Sequence, residues 1–161
     1  MPCDDADATG LIGPNETISS GVSEAAVSAV RSRIMRSVST KNSGPEMRVR
    51  RALHAAGFRF RLHDKRLPGT PDIVLKSRRI AIFVHGCFWH RHEGCRYASA
   101  PKTRQQFWSA KFARNVARDA ENKRDLEALG WRVIEVWECE VKKERFLNPL
   151  LERIAGLARP K

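Results

Sequence analysis

The chain has 161 residues, enough for one domain with a single core, and no apolar run long enough to span a membrane. Its 30 Lys and Arg against 18 Asp and Glu give a net charge of +12, unevenly placed: residues 1–30 hold five acids and no Lys or Arg, which leaves 30 basic against 13 acidic residues, +17, on the remainder. A domain that basic points to a polyanion, nucleic acid first, and with no secretion signal in view a cytosolic protein is expected.

Residues 1–28 are rich in Gly, Ser, Asp and Thr, without useful periodicity, and read as a disordered extension of a domain spanning 29–161. From about 29 to 43, Arg31, Arg33, Arg36 and Lys41 alternate with Ile34, Met35 and Val38. This pattern reads equally as a basic arm along DNA, with Met35 as an apolar wedge, or as an amphipathic helix on the core. Ser43-Gly44-Pro45 opens a helix that Gly57 closes; Glu46 suits the helix dipole, and Met47, Leu53 and Ala56 are expected on the inner face. Phe58 to His63 alternates apolar and basic residues, as a half-buried strand does. A Leu67–Pro71 turn leads to Asp72, which opens the apolar strand Ile73-Val74-Leu75. Asp72 is either a turn-capping residue or a holder of a hard divalent cation.

Ile80 to Val84 is a short apolar run that predicts a buried strand, and it delivers the densest chemistry of the chain, FVHGCFWHRHEGC (Phe83 to Cys95). Cys87, His92 and Cys95 have the closeness of metal ligands, and a tetrahedral zinc site needs one more. Cys139, ending the strand-like run from Trp131, is the fourth ligand expected; Cys3 lies in the polar terminus. Such a Cys3His site is structural. The alternative is a set of reduced cysteines without metal, and a disulfide is disfavoured because nothing marks the chain as secreted. His85 and His90 are left over for acid–base work near neutral pH, or for packing. Thr103 and Gln106 form the pattern of a capping box ahead of a helix that stops at Gly130, basic in its first half through Arg104, Lys111, Arg114 and Arg118, with Asn115 among them. Trp108 on it reads as core or as a surface platform, and Asp119 as a histidine partner or a surface pair with Lys123. The end of the chain predicts a peripheral helix with Leu147, Leu150, Leu151 and Ile154 inward. The expected order is helix, three strands, helix, strand, helix: an α/β fold with a small mixed β-sheet flanked by helices.

From about Ser32 to Leu151 the chain resembles the very short patch repair (Vsr) endonucleases of bacteria. The resemblance rests on RSRIMRSV, PGTPDIV, FVHGCFWHRH, the run FW-x2-K-x2-RN-x2-RD from Phe107 to Asp119, and GWRVIEVWEC. It implies a restriction-endonuclease-like core and a monomeric enzyme that nicks double-stranded DNA 5′ to the T of a T·G mismatch left by 5-methylcytosine deamination. It also implies a cytoplasmic, nucleoid-associated setting with mismatch-repair proteins as further partners. By resemblance, Asp72 and the Val84 carbonyl hold Mg²⁺, with Val84 standing where the family often has Thr. His90 is the base paired with Asp119, and His85 and Glu46 match residues that hold water at the metal. Cys87, His92, Cys95 and Cys139 match zinc ligands, with one extra residue before Cys95. Phe88, Trp89 and Trp108 match wedges beside the mismatch, Met35 approaches from the opposite groove, and Lys111 and Asn115 lie in the same DNA-facing run. A zinc-stabilised DNA-binding module without catalysis, or an endonuclease of the same core that reads undamaged sequence, are the competing readings.

Overall fold

The computed structural model of the chain describes residues 41–143 and 145–157. The expected extension over 1–28, most of the basic arm and Met35 lie outside the described residues.

Helix α1 spans Gly44–Ala55. Its start is fixed by a reciprocal cap: the Ser43 hydroxyl accepts from the Glu46 N–H at 3.4 Å, and the Glu46 carboxylate accepts from the Ser43 N–H at 3.3 Å. Gly57, at φ +84°, takes the left-handed conformation that turns the chain out of the helix. The inner face differs from the expected one. It is Glu46, Val49, Arg50 and Leu53, at the i, i+3, i+4, i+7 spacing, whereas Ala56 is exposed and Met47 only half-buried. Two charged residues face inward because they pair with each other, which a count of apolar residues does not anticipate.

The alternating stretch after α1 forms a ladder only at β1 (Arg61–Leu62). Phe58 and Phe60 nonetheless pack on the core while Arg59 and Arg61 face out, but the alternation breaks at Leu62, which is exposed beside Arg61 in β1. Strand β2 is Ile73–Leu75 and β3 is Ile80–His85; a left-handed Arg79 at φ +50° turns one into the other. Helix α2, Gln105–Ala128, carries the chain to β4, Arg132–Trp137. A short helix α3 (Glu138–Val141) and helix α4 (Leu147–Gly156) complete the fold.

The sheet order is β1-β2-β3-β4, antiparallel for the first two pairings and parallel for β3–β4. The parallel pair needs a long crossover, and α2 supplies it. Covering by helices explains why β2 and the start of β3 read as unbroken apolar runs. The core joins Val49 and Leu53 of α1, Ile73, Leu75, Ile80, Ile82, Ile134 and Val136 of the sheet, Val141 of α3, and Leu150 and Ile154 of α4. Leu150 and Ile154 are inward as expected, with Leu151 half-buried beside them.

Two local expectations fail. The Thr103 capping box does not form: the residue before α2 is Arg104, in a left-handed conformation at φ +52°, with no side-chain cap. Cys139 lies in α3 rather than in the strand. Helix α2 itself buries only Phe112 and Leu126 along 24 residues; its first half packs on the loop after β3. No helix among the described residues is long and apolar enough to cross a membrane.

The turn that delivers Asp72 is seated on α2. Gly69 sits at φ +69°, and a Cβ there would lie 2.8 Å from Cγ of Asn122. Gly69→Ala therefore meets both backbone strain and a clash. We expect it to lower the urea unfolding free energy by about 1–3 kcal/mol; an unchanged midpoint would show that the turn is not held there.

Candidate functional site

The parallel register of β3 and β4 sets the site. It aligns His85 with Trp137. The strands therefore end together, and the residues two positions beyond each, Cys87 and Cys139, emerge side by side. After Cys87 the chain coils through consecutive turns: the N–H groups of Trp89 and His90 donate to the Gly86 carbonyl, that of His92 to Cys87, and that of Cys95 to His92. Arg91 at φ +54° and Gly94 at φ +67° provide the left-handed steps that fold this knuckle back on itself.

The result gathers Cys87, His92, Cys95 and Cys139, with ligand atoms all within 4.8 Å of one another. Nδ1 of His92 lies 3.7 Å from Sγ of Cys87 and 3.3 Å from Sγ of Cys139. A tetrahedral ion with bonds of roughly 2.0–2.3 Å separates its ligands by about 3.3–3.8 Å, so this donor set fits a metal of zinc type. His92 stacks face to face on Trp137, ring centroids 4.2 Å apart and planes within 4°, which fixes its orientation. The three thiols are free. Burial pushes the Cys87 thiol up to about 12 and raises that of Cys139. At Cys95 burial works in the same direction, but hydrogen bonds from the Tyr97 N–H and the neighbouring thiols outweigh it and lower the value. Packed thiols that resist ionisation become thiolates when a cation displaces their protons.

Two further clusters flank the end of β3. In the first, Nδ1 of His90 lies 2.5 Å from Oδ2 of Asp119 on α2. The carboxylate accepts, so Nδ1 carries the proton and Nε2 presents a lone pair. Asp119 therefore pairs with His90 and not with Lys123, whose ammonium meets Glu135 at 3.6 Å. His85 lies against His90, with ring centroids 4.0 Å apart and the planes tilted by 30°. It is 7% exposed. Burial, reinforced by the neighbouring His90 and opposed by Asp119, pushes its imidazole down to about 4, so His85 is neutral near pH 7.

In the second cluster, Asp72 follows the buried Pro71, and its Oδ2 accepts the Val84 N–H at 2.8 Å. The N–H and C=O of one strand residue point to the same edge, so the Val84 carbonyl opens on the Asp72 side. Burial raises the Asp72 carboxyl above its ordinary value, with the nearby Glu46 adding to that, while the Val84 N–H acts against it. Glu46 and His63 complete this group, all ligand atoms again within 4.8 Å. The strand pairing thus brings Asp72 to the Val84 backbone, while His85 falls in the other cluster with His90 and Asp119, and the two clusters are joined through the single step Val84–His85. Carboxylate and carbonyl oxygens at one edge suit a hard divalent cation.

His63 and Arg50 were not singled out by the sequence. Arg50 donates to Glu46 and, at 2.6 Å, to Asn42. The only sequence signal for His63 is a histidine closing an alternating run a few residues before Asp72.

The knuckle also displays its aromatic pair. Phe88 packs edge-on against Trp89, Trp108 and Phe112, with centroids 5.0–5.5 Å apart. Phe88, Trp89 and Trp108 remain half-exposed while Phe112 is buried beneath them. Lys111 holds its ammonium 5.0 Å from the Trp89 ring centre. Asn115 is engaged within the protein: its amide donates to the Trp89 carbonyl at 3.0 Å and its oxygen accepts from Arg118, which ties the knuckle to α2.

His85 has a consequence for stability. Its folded value lies at about 4 against an ordinary 6.5. Between these the unfolded chain binds a proton that the folded chain does not, so stability falls as pH drops from 6.5 toward 4. We expect His85→Gln to flatten this slope in urea unfolding series across that range; an unchanged slope would contradict the buried, neutral assignment.

Known proteins bear on this arrangement. The family model described as DNA mismatch endonuclease Vsr matches residues 24–96. The chain is 52% identical over 121 residues to the type II nicking enzyme V.XorIIP of Xanthomonas oryzae pv. oryzae, covering 75% of this chain and 88% of that protein. It is 42% identical over 124 residues to the type II nicking enzyme V.NmeAIP of Neisseria meningitidis serogroup A, 77% and 88% respectively. With the DNA mismatch endonuclease Vsr of Escherichia coli K12 it shares 44% identity over 128 residues, 78% of this chain and 81% of that one. On these similarities, the chain belongs to the Vsr family of DNA mismatch endonucleases.

Proposed function

We propose that the chain is a Mg²⁺-dependent nickase that cuts one strand of double-stranded DNA 5′ to the T of a T·G mismatch, on a restriction-endonuclease-like core stapled by zinc. The observation that carries this reading is the end of β3. One strand terminus has a carboxylate cluster on one side and a His–Asp pair on the other, with the aromatic knuckle following directly. The names of the relatives support single-strand cutting and a mismatch substrate.

The division of labour follows from donor chemistry. Cys87, His92, Cys95 and Cys139 are soft or borderline donors and would hold Zn²⁺, closing the knuckle. Asp72 and the Val84 carbonyl are hard donors and would hold Mg²⁺, which when bound neutralises charge on the attacked phosphate and favours ionisation of water. His90, its proton held at Nδ1 by Asp119, takes a proton from the attacking water through Nε2. The water oxygen then bonds to phosphorus and one P–O bond to a sugar oxygen breaks. His85, neutral and lying against His90, and Glu46, beside Asp72, bracket the reacting water by hydrogen bonding.

Recognition rests on the rings. A mismatched pair is cheaper to unstack than a matched one, and half-exposed Phe88, Trp89 and Trp108 convert that difference into selectivity by entering the stack. Stacking is worth ~1–3 kcal/mol per base, comparable to the discrimination required. Lys111 sits among these rings and supplies charge to the adjacent phosphate, while Asn115 acts by holding Trp89's backbone toward the duplex. Met35 remains a proposed wedge of the N-terminal arm. A monomer acting in the bacterial cytoplasm on nucleoid DNA, alongside mismatch-repair proteins, is the setting this reading implies.

Strand-specific nicking of matched T·G and T·A duplexes tests it. The T·G duplex is expected to be cut at least ~100-fold faster. Equal rates would leave a sequence-reading endonuclease. Asp72→Asn is expected to bind the T·G duplex as the native chain does and to nick it about a thousandfold more slowly with Mg²⁺ present. Normal nicking by this variant would remove Asp72 from the metal site.

A further inference from the structure

We propose that His63 is a hydrogen-bond donor of the Asp72 site: its Nδ1–H holds an oxygen ligand, water or phosphate, of the cation bound there, and Arg50 fixes the ring in that role. The proposal rests on the reading of Asp72 as a metal holder and adds a donor outside the ligand set.

The fold aims His63 at Asp72. The antiparallel pairing of β1 and β2 sets Arg61 opposite Val74 and Leu62 opposite Ile73, so the next step places His63 opposite Asp72. The His63 backbone N–H donates to the Asp72 carbonyl at 3.3 Å. His63 takes a left-handed backbone, φ +47°, a conformation that persists in a residue with a side chain where surrounding structure enforces it, and that gathers at functional sites. The imidazole lies between α1 and the Asp72 carboxylate. Its Nε2 is 3.2 Å from Oε1 of Glu46, and its Nδ1 is 3.8 Å from Oδ1 of Asp72.

Arg50 selects the tautomer. Its Nη2 lies 2.7 Å from Nε2 of His63. A guanidinium only donates, so Nε2 accepts, and the proton of the neutral ring sits on Nδ1. Nη2 carries a second hydrogen, which goes to Glu46. Glu46 and Nε2 therefore approach each other as two acceptors that share one donor group. Arg50 is held in turn by Asn42, which accepts from Nη1 at 2.6 Å.

The Nδ1–H is thus directed at Asp72, and 3.8 Å is too long for a direct hydrogen bond. Oδ2 of Asp72 already accepts the Val84 N–H, which leaves Oδ1 facing the gap. A donor and an acceptor separated in this way are bridged by one intervening oxygen. A hard cation of the Mg²⁺ kind brings such oxygens with it, because it keeps several waters and takes substrate phosphate. An N–H that holds a ligand of the ion without touching the ion orients that ligand and raises affinity for the metal.

The test uses the full chain with its zinc content verified. Long-range proton–nitrogen NMR of the histidine-labelled chain, without Mg²⁺, is expected to show His63 neutral, protonated at Nδ1 and bare at Nε2. A proton on Nε2 would overturn the proposal, and this measurement needs no variant. Mg²⁺ binding is then followed by calorimetry, for the chain alone and for its complex with a nicked T·G duplex. His63→Leu, which keeps bulk and removes the donor, is expected to bind Mg²⁺ about tenfold more weakly in at least one of these states. His63→Asn, which restores an N–H near the Nδ1 position, should stay within about threefold of the native chain. Weakening in the chain alone identifies the oxygen as water on the cation; weakening only with the duplex identifies it as phosphate. Native affinity of His63→Leu in both states, or Leu tolerated better than Asn as packing alone would have it, overturns the proposal. Asp72→Asn separates the two levels: if it keeps native Mg²⁺ affinity, the metal reading of Asp72 falls, whereas if it loses Mg²⁺ while His63→Leu does not, only the role of His63 falls.

Discussion

The parallel pairing of β3 with β4 is the constraint on which the rest depends. It is the only parallel pairing among the described strands, and its register ends both strands at one level, His85 beside Trp137. From that level the chain sends out Cys87 on one side and Cys139 on the other, and it provides the Trp137 ring on which His92 lies flat. A one-residue slip would turn every side chain of one strand to the opposite face and separate the two cysteines. Because parallel strands need a long connection, the same pairing also requires α2. That helix returns Asp119 to His90, Asn115 to the knuckle's backbone, and Trp108 and Phe112 to its rings. The ligand set, the His–Asp pair and the aromatic face are therefore consequences of one topological choice.

The electrostatics sort these groups into separate tasks. Burial dominates at His85 and keeps it neutral beside His90. At His90 the decisive contact is a short bond to a carboxylate, which fixes the side of the ring that carries the proton. Asp72 balances burial, which disfavours its charge, against one backbone N–H, which favours it. A carboxylate poised in this way, close to a second carboxylate and without an arginine of its own at bonding distance among the described contacts, gains most from a bound cation. Arg50, the nearest strong positive charge of α1, is instead turned to Glu46 and Asn42.

Much of this was legible in the sequence because the informative residues are rare. Four cysteines and five histidines in 161 residues leave few ways to assemble a ligand set, and Cys87, His92, Cys95 and Cys139 do converge. Gly57 and Gly130 stand where the chain turns out of α1 and α2, each with positive φ. The apolar runs after Asp72 and before His85 are buried strands. What failed did so for tertiary reasons. The inner face of α1 holds Glu46 and Arg50 because each neutralises the other, so apolar periodicity pointed to Met47 and Ala56 instead. The Thr103 pattern lost to a left-handed Arg104 as the chain left the knuckle. His63 was not recognisable as a site residue because its placement depends on the β1–β2 register and on a backbone conformation that no local signal announces.

The claim that two strand ends converge on one ion is tested most directly by X-ray absorption at the zinc edge on the purified protein. The account predicts a first shell of three sulfurs at about 2.3 Å and one imidazole nitrogen at about 2.0 Å. A shell of nitrogen and oxygen alone, or a fully loaded ion with only two sulfurs, would contradict it, because Cys139 would then not meet Cys87 and Cys95 on the metal.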